Sequence, residues 1–147
     1  MVNKKYNQPV VIDRAIASPR EPDSVHWVGS ILTDDYTKLV DMDDAMDAIT
    51  NIVKTNQAQI LDVLAYSFTT PSEQSGYTLV FCLAESHIAL HSWPEHAAVE
   101  LDVYLCNYLR DNRNKCTRIF DQIVEYYDAN KVLSEKVARP SMKKFAR

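Results

Sequence analysis

Glycine is nearly missing from this chain: only Gly29 and Gly76 occur in 147 residues. A dinucleotide-binding turn or a P-loop needs several glycines within a few residues, so that backbone amides can approach phosphates. Neither can be built here, so a cofactor must be held in another way or made from the chain itself. Cysteine is scarce and odd in number, with Cys82, Cys106 and Cys116. That argues against a disulfide framework and for reduced thiols in a cytoplasmic setting. Positive charge is not in excess. The chain has 16 Lys+Arg against 20 Asp+Glu, a net charge of −4, and lacks the basic stripe of a nucleic-acid binder. No apolar run approaches the ~20 residues of a membrane span, so no membrane partner is expected. No apolar segment follows the lysines between Met1 and Tyr6, so no cleavable signal peptide is expected either.

What remains is long enough for one domain with its own core. Residues 1–24 are polar, with Pro9, Pro19 and Pro22, and read as an arm. Residues 25–139 carry the alternating and helical patterns of a folded domain, and 140–147 read as a basic tail. Asp41 to Asp44 signals a helix start with acidic residues in the first turn. Met42, Met46, Ile49, Ile52 and Val53 then follow helical spacing, which should end near Gln57. Cys116, Ile119, Phe120, Ile123, Val124 and Tyr127 form the cleanest helical stripe. Strands are expected over His26–Leu32, Ile60–Phe68, Tyr77–Ala84, Ile88–Ser92, Leu101–Leu105 and Lys131–Arg139. The order predicts an α+β fold: a two-layer α/β sandwich, with a mostly antiparallel sheet and two helices on one face. The other face of such a sheet needs cover, which a partner sheet can supply.

Chemistry concentrates in Glu85-Ser86-His87-Ile88-Ala89-Leu90-His91-Ser92-Trp93-Pro94-Glu95. As a strand, this stretch turns Ile88, Leu90 and Ser92 to one face and His87, Ala89, His91 and Trp93 to the other. Residues four apart on a strand are roughly 13 Å from each other, too far for His87 and His91 to chelate one metal, and no metal is expected. No Gly-x-Ser-x-Gly elbow is present for a serine hydrolase. From residue types alone, an edge strand with polar residues on its solvent face stays open as a reading.

The order of these residues, Glu-Ser-His-(x)3-His-Ser-Trp-Pro-Glu followed by an apolar strand ending in Cys106, closely resembles the prokaryotic pyruvoyl-dependent S-adenosylmethionine decarboxylases. The resemblance is dense from Glu85 to Cys106 and looser over His26–Ala84 and Asn107–Ala138. It implies the same two-layer sandwich and a homodimer. It also implies that Ser86 attacks the Glu85 carbonyl, that the chain cleaves into 1–85 and 86–147, and that Ser86 becomes a pyruvoyl group. That ketone would form a Schiff base with the substrate amine, with no external cofactor. A serine hydroxyl needs an adjacent base to attack, and the resemblance assigns processing to His91, assisted by the Thr78 hydroxyl. It assigns proton donation after CO2 loss to Cys106, and ribose binding to Glu95. Asp102 also matches a common position, without a role. Cys82 and Cys116 read as small core hydrophobes. The implied product is the aminopropyl donor for spermidine synthesis.

One departure bears on substrate. The loop Thr69 to Ser75 lacks the aromatic residues that stack on adenine in relatives, and carries Glu73. Phe68, or a tyrosine such as Tyr66, is the available substitute. His96-Ala97-Ala98 replaces an aromatic run, and Glu100 is an added acid. Arginine or ornithine therefore stays open as an alternative substrate of the same machinery. A non-catalytic relative regulating an active subunit is the alternative from another class, against which intact Glu85, Ser86, His91 and Cys106 argue.

Overall fold

The computed structural model describes residues 23–140. Within them the chain runs β1 (Ser24–Leu32), α1 (Tyr36–Val40), α2 (Met42–Thr55), β2 (Ile60–Ser67), β3 (Tyr77–Leu83), β4 (Ser86–Trp93), a 3-10 turn (Pro94–His96), β5 (Ala98–Leu105), α3 (Arg113–Tyr126) and β6 (Lys131–Arg139). The strands form one six-stranded sheet in the order β2-β3-β4-β5-β1-β6. Every neighbouring pair is antiparallel. The α+β expectation holds, with a third, one-turn helix beyond the two expected. The expected arm 1–24 lies outside the described residues except for Asp23 and Ser24, and Ser24 already belongs to β1. The expected tail 140–147 lies outside them beyond Pro140.

The helices start where side chains can satisfy their free amides. Asp35 Oδ1 accepts from the Lys38 N–H, and Asp41 Oδ1 from the Asp44 N–H, which caps the first turns of α1 and α2. Helix α2 stops at Thr55, and Gln57 takes a left-handed φ of 58°. The helices bury Leu39 of α1, Ala45, Ile49 and Val53 of α2, and Cys116, Ile119, Phe120 and Ile123 of α3. These meet the inward residues of the strands, Leu79 and Phe81, Ile88 and Leu90, Leu101 and Val103, in one core. Met42, Met46, Ile52 and Val124 from the expected stripes are only partly buried at its margin. Cys116 is core as expected, and burial pushes its thiol up to about 11. Cys82 is a correction. Inward positions of β3 alternate as Tyr77, Leu79, Phe81 and Leu83, so Cys82 falls on the opposite face and is exposed.

Among the described residues, no helix covers that other face. Leu64, Tyr66, Trp93, Leu133 and Val137 stand exposed there among polar residues. Strand β4 is not at an edge: it lies between β3 and β5. The edge-strand reading fails because β3 pairs with it over Thr78–Leu83 and β5 over Ala98–Leu105. Its face assignment holds. Ile88 and Leu90 are fully buried and Ser92 nearly so, while His87, Ala89, His91 and Trp93 line the open face.

Candidate active site

The link from β3 to β4 is two residues long, Ala84 and Glu85, and the ladder resumes with Leu83 opposite Ser86. Two-residue hairpin links need positive φ at the turn, which is why they favour glycine and asparagine. This link has neither, and the positive φ falls on Ser86, at 141°. A non-glycine residue held there costs about 1–3 kcal/mol, offset by the surrounding structure. The Ser86 hydroxyl lies 3.2 Å from His87 Nδ1. The Glu85 carbonyl oxygen accepts the Cys106 N–H at 2.8 Å, because Leu105 is the β5 partner of Ser86 and Cys106 therefore faces the link.

A second residue fixes this corner from below. Asn112 sits at the cap of α3 and is fully buried, yet its side chain makes no cap bond. Its Nδ2 donates instead to the Cys106 carbonyl at 2.8 Å and to the Glu85 carboxylate. Arg110 Nε approaches the other Glu85 oxygen at 3.3 Å. Asn107 Oδ1 holds the Asn112 N–H at 2.8 Å, and the Ser24 hydroxyl holds the Asn107 N–H at 2.9 Å. The ends of β1, β4 and β5 are thus tied around one peptide bond. Neither asparagine was given a role from the sequence. The available signal was the asparagine at the helix cap.

The other expected residues gather elsewhere. Thr78 stands opposite His91, and its hydroxyl is 2.8 Å from His91 Nδ1. Phe68, Thr78, His91, Trp93 and Glu95 line a cavity of about 550 Å³. Gly76 also lines it, and there glycine is required: a Cβ would come within 3.0 Å of Pro94 Cδ and closer still to the Ser92 carbonyl. Phe68 packs on Tyr66 with ring centroids 5.0 Å apart. Tyr66 itself does not line the cavity, and Trp93, given no ligand-binding role from the sequence, does. His91 is five strand positions from Ser86, or about 17 Å at 3.3–3.4 Å per residue. Within one chain, then, Glu85, Ser86 and Cys106 sit at one end of β4, and Thr78, His91, Glu95 and Phe68 at the other.

Around Ser86 the open face carries His26, His87, Tyr104 and Asp102. The rings of His26 and Tyr104 are 5.4 Å apart, and those of His26 and His87 6.0 Å, edge to face. Burial pushes the His26 imidazole below its ordinary value, against the opposing pull of Asp102.

The fold and this corner describe a class: a small α+β chain that presents a strained serine after a glutamate whose carbonyl is held by a backbone amide. Residues 25–140 match the family described as S-adenosylmethionine decarboxylase, and the chain belongs to that family. It is 31% identical over 107 residues to the S-adenosylmethionine decarboxylase proenzyme of Pyrobaculum arsenaticum, covering 73% of this chain and 80% of that protein. With the proenzyme of the same name from Picrophilus torridus it shares 31% identity over 118 residues, 80% of this chain and 84% of that protein. The crystal structure of the adenosylmethionine decarboxylase from Aquifex aeolicus superposes with a TM-score of 0.69 at 26% identity, covering 82% of this chain and 92% of that one. Among the described residues, no helix is long and apolar enough to cross a membrane.

Proposed function

We propose that this chain is a self-processing, pyruvoyl-dependent S-adenosylmethionine decarboxylase, cleaved between Glu85 and Ser86. Its product would be the aminopropyl donor for spermidine synthesis. The observation that carries the reading is the positive φ of Ser86 beside a carbonyl already held by a backbone N–H. The Ser86 hydroxyl attacks the Glu85 carbonyl carbon. The charge developing on the carbonyl oxygen meets the Cys106 N–H, placed as an oxyanion donor. The peptide C–N bond breaks, leaving an ester to the Ser86 side chain and a free amine on residue 86. Loss of the residue 86 Cα proton expels the Glu85 carboxylate. Water then replaces ammonia on the remaining enamine, which leaves the pyruvoyl end. Release of 1–3 kcal/mol of backbone strain at the attack step is worth about one to two decades in rate.

The pyruvoyl carbonyl supplies the electron sink that departing CO2 requires. The remaining work falls to this chain's own side chains. Cys106 follows β5 at the edge of the Ser86 corner and is half-buried, a position from which its thiol can return a proton to the substrate carbon. At attack the Ser86 hydroxyl gives its proton to His87 Nδ1, 3.2 Å away, and His91, paired with Thr78, is assigned the processing base that removes the residue 86 Cα proton from the ester. The 17 Å along β4 separates it from Ser86 of its own chain. Two copies stacked over their open sheet faces about a two-fold axis set the Ser86 end of one protomer against the His91–Glu95 end of its partner. The exposed apolar residues of that face support this homodimer, since a stable monomer rarely leaves such a face uncovered.

Two substitutions separate the backbone from the side chains. Cys106→Ala keeps the N–H on Glu85 and should still cleave, while CO2 release falls by at least about a hundredfold, the usual worth of a positioned acid. Asn112→Ala frees the Glu85 carboxylate and the Cys106 carbonyl. Cleavage, followed by intact mass over time, should slow by about tenfold for the loss of one to two kcal/mol of positioning hydrogen bonds. Wild-type turnover in Cys106→Ala, or wild-type cleavage in Asn112→Ala, contradicts the respective role.

The ligand cavity supports S-adenosylmethionine through Glu95 for the ribose hydroxyls and the rings of Phe68 and Trp93 for adenine. Base–aromatic stacking is worth about 1–3 kcal/mol in single-strand binding proteins. Phe68→Ala should therefore raise KM by one to two decades, and Glu95→Gln should raise it too, with kcat less changed. CO2 release measured side by side from S-adenosylmethionine, arginine and ornithine tests the substrate directly. Release only from the latter two would overturn it, and the relatives named above carry S-adenosylmethionine alone in their names.

A further inference from the structure

Beside Ser86, three side chains from three strands converge on the open face: His26 of β1, His87 of β4 and Asp102 of β5. One donor atom from each lies within 4.8 Å of the other two. The register accounts for the meeting. His26 and His87 both stand opposite Tyr104, and Asp102 is two positions back on the same face of β5. His26 Nε2 is buried and has no hydrogen-bond partner. The Asp102 carboxylate is 3.9 Å from it, beyond hydrogen-bond reach. Buried polar atoms normally find a partner; this one faces a carboxylate and a second imidazole across a gap.

The geometry points to a site for one divalent transition cation, zinc above all, held by His26, His87 and Asp102. Two imidazoles and a carboxylate with further positions open form a ligand set that zinc accepts. At metal–ligand distances of 2.0–2.2 Å, tetrahedral donors stand about 3.4 Å apart, so the three close on the ion by about 1 Å through side-chain rotation. Magnesium demands oxygen ligands and does not suit the site. The sequence spacing excluded His87 with His91; the ligands come instead from neighbouring strands. Arg139, with its guanidinium 4.1 Å over the Tyr104 ring, opposes an added cation there.

Occupancy has a consequence for the serine, which rests on the self-processing reading. His87 Nδ1 must be bare to take the Ser86 proton. A metal on Nδ1 fills it, and a metal on Nε2 leaves the proton on Nδ1, since a neutral ligating imidazole carries its hydrogen on the other nitrogen. Either mode withdraws His87 as an acceptor, and the ion arrests cleavage.

The test uses the full chain as Ser86→Ala, which keeps all three ligands and cannot cleave. Calorimetric titration with ZnCl2 should give one ion per chain, and MgCl2 none. Asp102→Asn, nearly isosteric, and His26→Ala should each weaken zinc by more than the 10–100-fold typical of losing an outer-shell partner. Arg139→Gln should tighten it. Absence of saturable zinc binding, or binding unchanged in both ligand variants, overturns the site. In freshly made wild type, zinc should slow the appearance of the 1–85 fragment by about a hundredfold, the scale of a lost base, and EDTA should restore it. Binding without slowing overturns the arrest and keeps the site. Zinc binding in a wild type that never cleaves removes the processing reading, and the arrest with it, but not the site.

Discussion

Ser86→Ala is expected to stay one chain of 147 residues and to release no CO2, while wild type shows two masses, the C-terminal fragment blocked to Edman degradation. No oxygen is available to attack Glu85, and no carbonyl can be made at position 86, so the loss is complete rather than graded. The same position carries a stability effect. Serine at φ 141° is strained, and glycine adopts that region freely. Ser86→Gly should stay uncleaved and melt several degrees higher than Ser86→Ala, for about 1–2 kcal/mol of released strain. A full-length wild type, freshly purified and folded, would sink the self-cleavage. Equal melting of the Gly and Ala variants would sink the strain.

The second large effect is complementation. Ser86→Ala and His91→Ala should each be inactive alone. Co-expressed, they form mixed dimers in which one site joins an intact Ser86 to the partner's intact His91. Random pairing makes half the dimers mixed, with one of two sites whole, so about a quarter of wild-type activity should return in a two-fold dimer. The expectation follows from the roughly 17 Å between Ser86 and His91 along one strand. Two dead variants that stay dead together, though shown to mix by mass, would require both residues to act within one chain.

Much of the fold was legible in the sequence because its signals are local. The period of Cys116, Ile119, Phe120 and Ile123 places one helix. Alternation along Ile88, Leu90 and Ser92 places the buried face of β4 before any neighbour is known. Asp41 marks the start of α2. The short helix Tyr36–Val40 was missed, since five residues are too few to show a period. Cys82 was misplaced because an apolar run does not reveal which face its alternate residues take.

The candidate site divides in the same way. Sequence alone determined which residues form the motif from Glu85 to Glu95 and its cysteine at 106, because their order and spacing are properties of the chain. Tertiary structure alone decided that Cys106 joins Ser86 at one end of β4, and that Thr78, Phe68 and Glu95 join His91 at the other. It also decided that β4 is central, that Asn112 holds the Glu85–Cys106 corner, and that His26 and Asp102 meet His87. Those are relations between strands remote in sequence, set by hydrogen-bond register and sheet order, and no spacing within one segment encodes them.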